Sequence, residues 1–145
     1  MKILSKATVY GLRALIYMVS KQSETDYISI GEISEKLNIS FHFLTKTFQL
    51  LSKSGILKSA RGPSGGVAFT IPPEQIYIID IVNVIESEGF FNTCLLGLPA
   101  CGEEAPCPLH EFWKESKLTL RHKFETTSLL VLGEMVRDGR IRLSS

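Results

Sequence analysis

Apolar residues recur every three or four positions between Ser5 and Ser20, at Val9, Leu12, Leu15, Ile16 and Val19. That spacing predicts a first helix with one buried face. Ser29 then stands three residues before Glu32, a capping box that opens a short second helix with Ile33 and Leu37 inward and Asn38 at its end. Ser40 caps a third helix over 41–55, whose Leu44, Phe48 and Leu51 face the core and whose Gly55 supplies a left-handed exit. Two short helices joined by a tight turn make a helix-turn-helix.

The period then changes. Two short strand-like runs, 56–60 and 67–71, flank "RGPSGG", where Pro63 sets a turn and Gly65 and Gly66 allow positive φ, which predicts a β-hairpin. A helix-turn-helix followed at once by a hairpin is the winged form, in which the third helix enters the major groove and the hairpin reaches the minor groove or backbone. A fourth helix is expected over 77–87, with Ile78, Ile81, Val82 and Ile85 inward and Gly89 as its stop. A long fifth helix is expected to open at Pro108, with apolar positions at Leu109, Phe112, Trp113, Leu120 and Phe124. The last short helix, near 127–136, carries more apolar side chains than one small domain requires. It is expected to pair with its copy, the alternative being a helix that folds back on its own domain. The fold class is thus mainly α with a small β-hairpin wing: a winged helix-turn-helix domain over 1–88, a cysteine-containing loop over 89–110, and C-terminal dimerisation helices over 111–145.

Length and charge sharpen this picture. The chain has 145 residues, about one domain by the rule of ~150 residues each. Its net charge of +1 argues, taken alone, against a nucleic-acid partner, but the average conceals a segregation. Residues 36–73 contain no acid, only Lys36, Lys46, Lys53, Lys58 and Arg61, whereas 74–113 contain no lysine or arginine and seven acids. A basic stretch confined to the helix-turn-helix and wing points to DNA. The apolar start is interrupted by Lys6, Thr8 and Arg13 and no small-residue cleavage site follows, so no signal peptide is expected. No run approaches the ~18 continuous apolar residues of a membrane span. The expected location is the cytoplasm, with no membrane partner, where thiols stay reduced.

The three cysteines, Cys94, Cys101 and Cys107, all lie in one acidic loop, with His110 three residues after the last. An odd number of thiols calls for a metal, a reactive thiol or an intermolecular bridge. Three cysteines and a histidine suit structural zinc or an iron-sulfur cluster, and the gaps match neither zinc knuckles nor ferredoxins. Buried or unligated thiols also remain open. A helix opening at Pro108 would place its positive end beside Cys107 and lower that thiol's pKa, with Glu103 and Glu104 acting the other way. His42, in the acid-free segment, is a candidate DNA contact, and His122 is read as structural. With no nucleotide loop, no Ser-His-Asp set and no paired carboxylates in an acid-base frame, no enzyme is expected.

The opening "TVYGLRALIYM", the turn "ISFHFLTKTFQLLSKSGILKSARGPSGG" and the three-cysteine loop before a long helix resemble the bacterial winged-helix repressors that include the iron-sulfur regulator IscR and the nitric-oxide sensor NsrR. The resemblance implies that Ser40, His42 and Thr45 face the major groove and that Arg61 enters the minor groove. Lys46 of the acid-free segment and Gly65 and Gly66 of the wing complete the expected DNA-contacting set. It implies as well that Cys94, Cys101 and Cys107 hold an iron-sulfur cluster, with His110 at the place of the histidine ligand in the IscR branch. In the NsrR branch the fourth ligand is an acid near the N-terminus, and the aligned residue here is Val9, which cannot ligate; this favours a 2Fe-2S over a 4Fe-4S cluster. The first gap between cysteines, six residues, is one longer than the IscR pattern, and the residues opening the third helix differ from IscR's, so its operator does not transfer. The function expected is a homodimeric, repressor-type regulator on a palindromic duplex operator, its affinity controlled by a cluster that senses redox state, nitric oxide or iron-sulfur supply. The alternatives are a metal-free switch in which Cys101 and Cys107 oxidise to a disulfide, and an iron-sulfur electron carrier.

Overall fold

The computed structural model describes residues 4–21, 27–86, 91, 93–99, 102–139 and 141–143. In chain order these form α1 (Lys6–Lys21), α2 (Ile30–Leu37), α3 (Phe41–Lys53), β1 (Leu57–Ala60), β2 (Gly66–Phe69), a 3-10 turn at Pro73–Gln75, α4 (Ile78–Ile85), α5 (His110–Thr126) and α6 (Leu129–Arg137).

α1 is helical as its periodicity predicts, with Leu15 and Val19 buried and Leu12 and Ile16 packed on the core as expected, but the buried face is wider than the apolar spacing shows and Val9 lies outside it. Thr8, Gly11, Ala14, Leu15 and Met18 are buried, with Tyr17 and Val19 beside them, while Val9 is 38% exposed. The reason is close helix packing. A Cβ on Gly11 would meet Ile85 Cδ1 at 3.0 Å and Thr47 Cγ2 at 3.1 Å, so α3 and α4 approach α1 along a line of small residues that a count of large apolar side chains does not see.

The helix-turn-helix rests on its caps. Ser29 Oγ accepts from the Glu32 N–H at 3.1 Å, Asn38 closes α2 at φ 54°, and Ser40 Oγ accepts from the Phe43 N–H at 3.3 Å. Tyr17 ties α1 to α2 by donating to Glu32 Oε2 at 3.0 Å; its burial, and then this hydrogen bond and the Glu32 charge, push its pKa up to about 12. Leu15, Ile33, Leu44, Phe48, Leu51 and Leu57 form the core under this motif.

The hairpin pairs antiparallel from Leu57↔Phe69 to Ala60↔Gly66. Ile28 adds a bridge to Val67, its N–H and carbonyl both bonded at 2.9 Å. β2 begins one residue earlier and ends two earlier than expected; Thr70 still bonds its register partner Ile56 through its N–H, and its hydroxyl caps the Gly55 carbonyl. Positive φ falls at Gly62 (101°) and Gly66 (142°) rather than at Gly65. Gly65 is needed for a different reason: a Cβ there would collide with the Ala60 carbonyl.

α4 begins at Ile78 and ends at Ile85, with Ile81 and Val82 fully inward and Ile78 and Ile85 half-buried. The expected stop at Gly89 lies outside the described residues. α6 folds back on α1. Gly133 lets the helices close to the point where any side chain would strike Val19, and Arg137 donates to the Val19 carbonyl at 2.8 Å and the Ser20 carbonyl at 3.3 Å. α5 by contrast buries no residue. It touches α4, and Phe112 and Leu118 are 65% and 60% exposed.

One partly buried polar contact joins the two ends of the winged domain. Glu86, just past α4, accepts from the Ser5 N–H at 2.6 Å and from the buried Thr8 hydroxyl at 2.7 Å, at the positive end of α1. Burial alone would push Glu86 up, but these hydrogen bonds outweigh it and its pKa lies below the ordinary carboxylate value. A lowered folded pKa means the contribution is present above the unfolded pKa, about 4.3, and is lost as pH falls through the folded value. Urea midpoints measured between pH 6 and about 3 should therefore fall more steeply for the native chain than for Glu86→Gln; parallel slopes would assign no role to this carboxylate.

Candidate nucleic-acid interface and cysteine loop

The N-terminal turn of α3 and the hairpin tip carry the expected DNA-contacting residues. Ser40, His42, Lys46 and Arg61 are exposed, and Thr45 is half-exposed one turn along from Phe41. Thr45 differs from expectation in chemistry: its hydroxyl donates to the Phe41 carbonyl at 2.8 Å, so it has no hydrogen left to donate to a base. Phe41, which carries no charge or hydrogen-bonding side chain and so gives no signal in the sequence, is 57% exposed at the very start of the helix. At the wing, Lys58 lies over the Tyr27 ring, 5.7 Å from its centre. Among the described residues the ion pairs are His110–Glu103, Lys114–Glu103 and Arg121–Glu125. None involves the basic residues of 36–73, which keep their charge for a polyanion.

The loop brings two of the three thiols together. Cys94 is half-buried and Cys107 is buried, with their sulfurs 3.5 Å apart, well beyond the about 2.05 Å of a disulfide. Cys101 lies outside the described residues. α5 starts at His110, two residues later than expected. Pro108 and Leu109 instead sit in a turn closed by the His110 N–H on the Cys107 carbonyl at 3.0 Å, so Cys107 stands before that turn and not at the helix's first residue.

His110 faces acids. Its Nε2 is 3.5 Å from Glu103 Oε1, and one donor atom each of Glu103, His110 and Glu111 lie within 4.8 Å of one another. Lys114, one turn further on, bonds the same Glu103 oxygen at 2.5 Å. The hydrogen bonds from Lys114 and then His110 hold the Glu103 carboxyl below its usual range, and the bond to Glu103 in turn raises Lys114. The acidic loop therefore carries less unbalanced charge than its composition suggests, since a cation just beyond its end folds back onto Glu103. Trp113 supplies a second anchor, donating from Nε1 to the Thr93 carbonyl at 2.8 Å, with Lys117 Nζ on the same oxygen at 3.3 Å. The residue next to Cys94 is thus held on α5 one turn from His110.

No described helix is long and apolar enough to cross a membrane. An inferred HTH-type transcriptional regulator of Haemophilus influenzae is 30% identical over 145 residues, covering 100% of this chain and 93% of that one. The regulator IscR of Aliivibrio salmonicida is 25% identical over 142 residues, 98% of this chain and 81% of that one. The solved structure of CymR, described as the global cysteine regulator of B. subtilis, superposes with a TM-score of 0.74 at 25% identity, covering 92% of this chain and 98% of that one. A model of the Rrf2 family, described as iron-dependent transcriptional regulators, matches residues 4–134. The chain therefore belongs to the Rrf2 family, and its winged helix-turn-helix is that of a DNA-binding transcriptional regulator rather than an enzyme.

Proposed function

We propose that this regulator is a homodimer whose affinity for a palindromic operator is set by an iron-sulfur cluster, 2Fe-2S, held by Cys94, Cys101, Cys107 and His110. The observation that carries the reading is the approach of the Cys94 and Cys107 sulfurs to 3.5 Å. Two thiolates bound at about 2.3 Å to one tetrahedral metal stand about 3.8 Å apart, so this pair fits two ligands of a single metal ion after a small outward shift. When bound, the cluster would supply a one-electron centre that reductants, oxygen and nitric oxide can reach. His110 would complete the donor set, with Glu103 as the outer partner that fixes its ring and tautomer. α5 would pair with its copy through its exposed surface, which carries Phe112 and Leu118, and a two-fold axis would set two recognition helices one DNA turn, about 34 Å, apart. The cytoplasm is the compartment that keeps such thiols reduced.

A thiol switch is the second reading, favoured by the same sulfur distance and by the likeness to CymR. Here the pair brought together is Cys94 and Cys107. The two readings part in a single preparation: anaerobically purified protein should show visible absorption bands with iron and sulfide in equal amounts. A colourless protein that gains a Cys94–Cys107 disulfide on mild oxidation, found by peptide mass mapping, would instead establish the switch.

His110→Cys should keep a cluster at a lower reduction potential, since thiolate replaces neutral imidazole and histidine ligation raises the potential. His110→Ala should leave a cluster that bleaches faster in air; unchanged lifetime and potential would remove His110 from the ligand set. At the wing, Arg61→Ala should weaken binding more on operators with a narrow, A·T-rich minor groove than on others, because an arginine there reads groove width and potential. Equal loss on every sequence would make Arg61 a phosphate contact.

A further inference from the structure

The outward surface of α3 divides into two stripes of different chemistry. Phe41, Thr45 and Gln49 follow one another at four-residue intervals, and so do His42, Lys46 and Leu50; residues four apart share a helix face. On the first stripe Phe41 is 57% exposed. A phenyl ring left in water at the first position of a helix makes no contribution to the core, which is closed from the other side by Leu44, Phe48 and Leu51. Below it, Thr45 has given its hydroxyl proton to the Phe41 carbonyl at 2.8 Å. It can accept a hydrogen bond from a base but has none to donate while that bond holds, so its methyl is the group it has left for an apolar contact. The upper turn of this stripe is therefore apolar, within a segment that contains no acid and is flanked on the neighbouring stripe by His42 and Lys46.

We propose that Phe41 and the methyl of Thr45 are specificity-determining residues that read the C5-methyl groups of thymines in the major groove. This rests on α3 being the groove-reading helix. The chemistry selects the occupant. In the major groove the one apolar feature of a base edge is the thymine methyl, and Phe and the threonine methyl are side chains that recognise it. A protein partner for this face is disfavoured by the surrounding positive charge, which complements phosphates. Phe41 and Thr45 lie one helical turn apart, about 5.4 Å, a little under two base-pair rises of about 3.4 Å. The two contacts therefore fall on thymines within two base-pair steps of each other.

The test begins with the full-length wild-type protein and operators selected from random duplex DNA, in each of which single thymines are then replaced by uracil. Uracil keeps every hydrogen-bonding group and lacks only the methyl. At one or two neighbouring positions per half-site the replacement should weaken binding about fourfold, the weight of one buried methyl-sized group, and elsewhere it should have no effect. Phe41→Ala should bind thymine and uracil equally at its position, while circular dichroism and Tm stay near wild type because the ring is exposed. Thr45→Val, which keeps the methyl and loses the hydroxyl, should retain the second discrimination, and Thr45→Ser should lose it. Equal affinity for thymine and uracil throughout the operator overturns the proposal without any variant, and so does a Phe41→Ala protein that still discriminates at every position where the wild type does. A folded wild-type chain that selects no duplex at all sinks the DNA-reading role of α3 and this proposal with it.

Discussion

Two backbone bonds at one corner hold the C-terminal part of the chain in place. The Leu129 N–H bonds the Ile76 carbonyl at 2.8 Å and the Ile78 N–H bonds the Thr127 carbonyl at 3.1 Å, a one-rung ladder between Tyr77 and Ser128. With this corner fixed, α6 lies against α1 and contributes the fully buried Leu129 to the core. α5 then spans from the cysteine loop to the same corner, touching α4 and the Thr93 carbonyl while burying no side chain fully. A helix of 17 residues that buries none of them has little tertiary support for its middle in the monomer.

The same constraint links the loop to the winged domain. Glu86 closes α4 against the start of α1, and the chain beyond it leads to the loop, whose far side is pinned to α5 by Trp113 and Lys114. A cluster or a disulfide at the thiols, as proposed, would act between α4 and α5, and α4 packs on α1 and α3. Small-residue contacts such as Gly11 and Gly133 leave those helices no slack to absorb a shift.

The parts legible from sequence were those that local chemistry decides. Ser29, Asn38, Ser40 and Gly55 mark the ends of α2 and α3 because a cap needs one side chain or one left-handed φ, and the wing follows from a glycine-rich turn between β-prone runs. The large apolar positions of α1 are legible, Val9 excepted, but not that Thr8, Gly11 and Ala14 are buried as well for their small size, a property of the helices opposite. Which glycines of the wing take positive φ, and that Gly65 serves close approach, depends on where the Ala60 carbonyl lands. At the loop the cysteines and His110 announce themselves by residue type, whereas Lys114 on Glu103 and Trp113 on Thr93 join residues 11 and 20 apart in sequence with no shared motif. Phe41 gives no signal of that kind, since it carries no charge or hydrogen-bonding group and its exposure is decided by how α3 sits on the core.

Trp113 is the chain's single tryptophan, and its indole N–H is committed to the carbonyl of the residue before Cys94. Indole emission depends on what that N–H meets. If the loop peels from α5, the group turns to water and the emission moves to longer wavelength, so the protein carries a built-in optical gauge of loop attachment. It reads the loop beside the thiols without any label, and it can be followed on the stopped-flow timescale while the loop's contents or the DNA are changed.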